Sequence, residues 1–228
     1  METILTVMGL FVSIGIALHQ RYQTNQLHFF DQRIKVIDVM ECIYQNVSEQ
    51  SGLLQKTAES TENSCSDVPF VLLMNNYLMY ECQGKVGEKE FQSLFWLKRS
   101  EIRRIIKHAH FLFSREDAVL CEEFIDAYFE CLIKNYQMQC CLRNIYETNT
   151  NLGRYEMTRC NSASAQKVDE ENNRLLQSQS EKIREAYKVL LECLHRIEEK
   201  RVLMSLTKKA KVQLWSKYRL RPEPEPKT

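Results

Sequence analysis

Thr3-Ile-Leu-Thr-Val-Met-Gly-Leu-Phe-Val-Ser-Ile-Gly-Ile-Ala-Leu18 is uncharged throughout, and its apolar run Ile4 to Leu18 gives way at once to His19, Arg21 and a long polar stretch. Apolar side chains would lie all round a helix of this sequence, leaving no polar stripe to face water. Fifteen residues at 1.5 Å each reach only about 22 Å, against a hydrocarbon core of roughly 30 Å. Met1 to Thr3 and the flank His19 to Tyr22 lengthen the segment to about twenty residues, and snorkelling of Arg21 with local thinning of the bilayer closes the gap. The stretch reads as an uncleaved membrane anchor. A cleaved secretory signal has an apolar region of similar length, but the basic n-region and a small-x-small cleavage site are both missing. A buried core helix is the third reading.

Lys and Arg near the ends of a span mark its cytoplasmic side. None precedes this one, whereas Arg21, Arg33 and Lys35 follow it. The short N-terminus is therefore expected outside and the bulk of the chain in the cytoplasm.

The composition favours helices. The 228 residues hold six Gly and four Pro, and three of the prolines sit in Pro222-Glu-Pro-Glu-Pro226. So few turn formers predict long helices rather than a many-stranded sheet. Lys plus Arg number 31 against 30 for Asp plus Glu, so overall charge implies no nucleic-acid partner and any electrostatic message must be local. The nine cysteines are odd in number, form no C-x-x-C pair and mostly lie within helical patterns. They read as reduced core fillers, neither a disulfide framework nor a zinc site. No metal or cofactor is expected.

After the span, Phe30, Ile34, Ile37, Met40, Tyr44 and Val47 fall on one helical face, opposite Asp31, Gln32, Lys35, Asp38 and Gln45. With neither Pro nor Gly between Gly15 and Gly52, one helix of about 45 residues should leave the membrane and end at Gly52. A loop follows over residues 56–67. Phe70 to Tyr80 predicts a buried helix, with a strand as the alternative. Further helices are expected over Glu88 to Phe113 and from a capping box at Ser114-Arg-Glu-Asp117 to about Tyr146. After a polar connection, the last helix runs to about Leu220 and stops at Pro222. The expected fold is all-α: an N-terminal transmembrane helix continuing into an antiparallel cytoplasmic helical bundle. Its parts are an anchor (1–22), a juxtamembrane amphipathic helix (23–50), the bundle (51–221) and a disordered tail (222–228).

The run Phe29-Phe-Asp-Gln-Arg-Ile-Lys-Val-Ile-Asp38 behind a hydrophobic span resembles a broad group of bacterial single-pass membrane-anchored helical proteins. Their pattern is roughly F-[DE]-[KR]-R-[FYI]-x-[IV]-Y; Gln32 and Ile37 stand here where Lys and Tyr are usual. The resemblance covers about 40 residues and implies placement at the bacterial inner membrane and a helical shape, rather than chemistry. Asp31, Arg33 and Lys35 read as a polar helix face.

Two constellations are candidates for function. From Lys200 to Arg221 the chain has eight basic residues and no acid, including Lys208, Lys209, Lys211, Lys217, Arg219 and Arg221, with Trp215 and Tyr218 interleaved. In an anchored protein this suits anionic lipid headgroups; phosphate neutralisation and base stacking make nucleic acid an alternative, and a solvated helix end is the plainest reading. The second is Arg103 with His108, or Arg104 with His110, which resembles the Arg-to-His motif of HEPN ribonucleases. That resemblance implies an Arg on the scissile phosphate and a His as acid or base. Arg104 or Ile105 follows the Arg where that family often has Asn, Asp or His. The sequence favours a non-enzymatic membrane-anchored interaction or scaffold protein, in the setting of bacterial stress or phage defence. Its partners are expected to be the membrane and a protein or a second copy of the chain. A membrane-held HEPN-like ribonuclease is the alternative.

Overall fold

A computed structural model of the chain describes the backbone of residues 2–60, 68–156 and 162–217, and their side chains except at 2–12, 68–69, 149, 151–156, 162–166, 169 and 212–217. Among these residues there are eight helices and no strand: α1 (Glu2–Glu59), α2 (Val68–Leu73), α3 (Tyr80–Gln83), α4 (Phe91–Lys107), α5 (Ala109–Leu112), α6 (Arg115–Glu156), α7 (Ser162–Glu199) and α8 (Val202–Lys217). The fold is all-α, as the scarcity of turn formers predicts.

α1 is one unbroken helix from the apolar stretch into the bundle. From residue 13 to 29 it is almost wholly exposed, and it enters the core only at Val36. Val36, Val39, Met40, Ile43, Val47, Leu54 and Ala58 are then buried along one face. Gly52 does not end the helix. A mid-helix glycine costs about 1 kcal/mol, and burial of Leu54 and Ala58 beyond it offsets that cost. Among the described residues no helix is long and apolar enough to cross a membrane, which leaves the transmembrane helix expected at 1–22 unsupported by the fold.

The bundle is antiparallel. α6 and α7 form its main hairpin, registered by Arg196 Nη2 at 2.8 Å from Glu123 Oε2 and by Tyr187 Oη donating to Asn135 Oδ1 at 2.6 Å. α7 runs opposite to α1, since Tyr44 Oη donates to Glu198 Oε1 at 3.1 Å while Arg184 reaches the Ser60 carbonyl at 2.8 Å. α4 lies antiparallel on α6, with Arg103 against Asp126 near one end and Phe91 packed on Tyr136 near the other. Phe70, Phe91, Phe124, Tyr128 and Phe129 are fully buried, each such side chain contributing about 1.5–3 kcal/mol relative to exposure. Cys82, Cys121, Cys131 and Cys193 are buried free thiols; Cys42, Cys140 and Cys141 are half-buried. Burial pushes the Cys121 thiol up to about 12, which suits inert filling rather than reactivity.

Several boundaries differ from the expected ones. The helix anticipated over Phe70 to Tyr80 is two short pieces, α2 and α3, joined by an irregular turn that exposes Tyr77. The one anticipated over Glu88 to Phe113 is α4 and α5, meeting at His108, whose N–H turns back to the Ile105 carbonyl at 3.1 Å. α6 runs past Gly153 to Glu156. The last helix is divided at Lys200–Arg201, where Arg201 takes φ +50°. One arm of the capping box is present: the Asp117 N–H donates to Ser114 Oγ at 3.3 Å, while the Asp117 carboxylate accepts from the Ser114 hydroxyl.

Arg201 is the described non-glycine residue with positive φ, a conformation that costs an L side chain roughly 1–2 kcal/mol and glycine little. Arg201→Gly should therefore raise stability by about 0.5–1 kcal/mol after the entropy of the freer unfolded chain is set against it. A higher urea midpoint at unchanged slope is the expected result; an unchanged or lower midpoint means that the junction is unstrained.

Candidate functional site

The end of the bundle from which α1 emerges gathers most of the residues singled out by the sequence. Arg33 Nε donates to the Leu112 carbonyl at 3.2 Å, and its guanidinium lies 5.9 Å from the Phe113 ring centroid. It thus caps the end of α5. One residue earlier, Gln32 Oε1 is 2.9 Å from His108 Nδ1. The polar face expected at Asp31, Arg33 and Lys35 is accordingly split: Asp31 and Lys35 are exposed, and Arg33 fastens the α4–α6 connection onto α1.

α8 is docked beside this junction. Val202, Leu206 and Ala210 are buried at steps of four. Asp117, at the start of α6, accepts from Ser114 Oγ at 2.6 Å, Ser205 Oγ at 3.0 Å and Lys209 Nζ at 2.7 Å. Burial pushes the Asp117 carboxyl up, but the hydrogen bonds from Lys209, Ser114 and Ser205, together with the Lys209 charge, outweigh it and hold the group below its ordinary value. Lys209 is therefore engaged inside the fold, whereas Lys208 and Lys211 are exposed. Trp215 and Lys217 lie on the described backbone of α8 with their side chains outside the described set, and Arg219 and Arg221 lie outside the described residues.

Arg103 and His108 are tied to different helices rather than to one another. Arg103 grips Asp126 of α6, with Nη2 to Oδ2 and Nε to Oδ1 both at 2.9 Å. His108 meets Gln32 of α1. Five residues on a helix turn the side chain by about 140° from the first, which sends the two to different neighbours. In the alternative pair Arg104 is exposed, and His110 Nε2 sits 3.0 Å from Glu122 Oε2. Four acids in the middle of α6 are likewise spoken for: Glu122 by His110, Glu123 by Arg196, Asp126 by Arg103 and Glu130 by Lys134. Among the described residues no group of three or more His, Cys, Asp or Glu could hold a metal ion.

A groove that sequence reasoning missed runs between α4, α6 and α7, with a volume of about 780 Å³. Phe91, Phe95 and Tyr136 provide aromatic surface, Trp96 and Leu175 stand half exposed at its sides, and Gln179 contributes a buried Oε1 with no hydrogen-bond partner. Its size and mixed lining suit an amphipathic guest. No sequence signal could have found it, because its walls come from segments far apart in the chain. No family model, no curated protein and no solved structure matches the chain.

The Asp117 cluster gives a pH dependence of known sign. Because its folded value lies below the ordinary 3.8, its contribution is complete above that pH and is lost as pH falls through the lower folded value. Asp117→Asn should cost about 1–2 kcal/mol at pH 7 and remove this site's share of the acid destabilisation below pH 3.8. Urea unfolding of both proteins across pH 2.5–7 measures it; a constant gap between them at every pH would show that the carboxylate charge does not stabilise the docking of α8.

Proposed function

We propose that the chain is a membrane-anchored helical interaction protein, with the N-terminal part of α1 in a bilayer and the bundle presented to partners in the cytoplasm. The observation that carries this is the free-standing part of α1. Residues 13–29 project from the bundle, with Ile14, Ile16, Leu18, Tyr22, Leu27 and Phe29 exposed. A lone helix without tertiary cover is marginal in water, and an apolar one needs a partner phase. A bilayer supplies one over Ile4 to Leu18, and the resemblance around Phe29 to Asp38 favours the bacterial inner membrane. Residues 19–29 would then form a stalk about 17 Å long between bilayer and bundle.

That stalk changes which basic residues meet lipid. Pairing of Tyr44 with Glu198, followed one residue for one residue, sets Lys209 level with Arg33 and Lys217 level with residue 25. Lys208 and Lys211 then lie about 20 Å or more beyond Leu18, and Lys217 about 10 Å. Since screening is complete within a Debye length or two of about 8 Å, lipid attraction belongs to the distal end of α8 and the basic residues after it. Protein partners, or a second copy of the chain, would take the bundle surface and the α4–α6–α7 groove.

The reading predicts that the protein sediments with membranes, resists carbonate extraction and supports a C-terminal reporter active only in the cytoplasm. Recovery of most of it in the soluble fraction overturns the anchor. In the full-length chain reconstituted into anionic vesicles, changing Lys217 and Arg219 to Gln should weaken the salt-sensitive protection of the C-terminal segment from added protease more than changing Lys208 and Lys211 to Gln. The reverse order would reject the stalk geometry while leaving the anchor untouched.

A further inference from the structure

We infer that a hollow between α1 and the irregular turn after α2 is a binding site for a linear polyamine. The hollow, of about 380 Å³, is lined by Asp38, Glu41, Cys42, Gln45, Asn46 and Glu49 of α1 and by Asn75, Asn76 and Tyr77 of the turn. Three of the nine are carboxylic acids, and none is Lys or Arg. This is unlike the middle of α6, where Glu122, Glu123, Asp126 and Glu130 each face a basic side chain.

Asn46 supplies the second, independent observation. It is only 6% exposed. Its Nδ2 donates to the carbonyls of Leu72 at 2.9 Å and Asn75 at 3.3 Å, which fixes the turn over α1. Its Oδ1 has no hydrogen-bond partner. A buried acceptor without a donor costs about 1–3 kcal/mol, and an N–H donor entering the hollow would relieve it. Tyr77 lines the hollow and is 66% exposed, offering a π face of the kind that attracts cations.

The spacing selects among cations. Along α1, Glu41 and Glu49 are about 12 Å apart and Asp38 and Glu49 about 17 Å. A divalent ion needs its oxygen ligands within roughly 2.0–2.6 Å of one centre; Asp38 and Glu41 are neighbours three residues apart, but Glu49 lies too far to join them, and among the described residues no three such groups come together to hold a metal ion. A chain of ammonium groups separated by short methylene runs matches separated carboxylates, lays its methylenes against the half-buried Cys42, and carries N–H donors for Asn46. The inference does not depend on the membrane anchor.

The test is calorimetric titration of spermidine into the full-length chain in detergent micelles, at fixed ionic strength, with magnesium chloride as the competing cation. Saturable one-site binding is expected, weakened about tenfold, or about 1.4 kcal/mol, in Glu41→Gln/Glu49→Gln and severalfold in Tyr77→Ala. A control pair on the exposed surface of α7, Glu170→Gln/Glu171→Gln, should bind within about twofold of the wild type. All of these positions except the half-buried Glu41 are exposed, and circular dichroism verifies that each variant keeps its helicity. Absence of saturable binding overturns the site. So does equal displacement by magnesium at matched ionic strength, or an affinity in the Glu41/Glu49 variant equal to that of the control.

Discussion

The hydroxyl of Tyr128 holds together the part of the fold that helix propensity alone would not form. From the middle of α6 it donates to the Leu73 carbonyl at 2.8 Å and accepts from Asn76 Nδ2 at 3.0 Å. Wholly buried, it is pushed well above its ordinary range by desolvation, despite the Asn76 bond. α2 and α3, at six and four residues, are far too short to persist unaided. What keeps them in place is a polar pin through the core, aided by Asn76 Oδ1 accepting from the Met79 N–H at 3.1 Å and by Asn46 reaching across from α1. The hollow beside Asn46 exists because this turn is pinned from both sides.

A similar economy governs the long helices. α6 and α7 share a second buried polar chain, in which Tyr187 donates to Asn135 and Asn135 donates to the Cys131 carbonyl at 2.7 Å. Such bonds add modestly to stability when made and cost more when broken. They therefore select one register between helices whose apolar stripes alone would tolerate sliding by a turn. With that hairpin fixed, α1 has one groove to occupy, and its buried positions from Val36 to Ala58 follow from it.

How much of this the sequence discloses depends on which force sets each feature. Local chemistry is legible: the Ser114–Asp117 cap, the stripe of α7 through Ile183, Tyr187, Leu190, Leu194 and Ile197, and the scarcity of turn formers all read through. Features set by tertiary packing do not. Gly52 and Gly153 resemble helix stops, yet α1 and α6 run through them, at Gly52 because Leu54 and Ala58 beyond it are buried. Lys200–Arg201 carries no breaker residue, and α7 still ends there, since only a turn at that point lets Val202, Leu206 and Ala210 face the core. Leu97 sits in an apolar pattern and is nonetheless 63% exposed, because α4 has just one side to bury. The candidate sites were less legible still. Arg103, His108 and Lys209 were identifiable as residues, but their partners Asp126, Gln32 and Asp117 lie on other elements and were not.

Those partners bear on what the surface can do. Arg103 and Lys209 looked in the sequence like charges available to a ligand; in the fold each is paired with a carboxylate on another helix. A charge committed in this way exerts little field on an approaching molecule, because its partner sits within about 3 Å and the pair looks nearly neutral from a Debye length away. The near-zero net charge of the chain therefore hides an uneven surface. Glu122, Glu123, Asp126 and Glu130 of α6 are compensated, while the acids of α1 beside Tyr77 are not; Lys209 is compensated, while Lys208 and Lys211 on the same helix are not. Recognition by this protein should be sought where charge has been left without a partner, and that distribution follows from which side chains the helix packing had to use first.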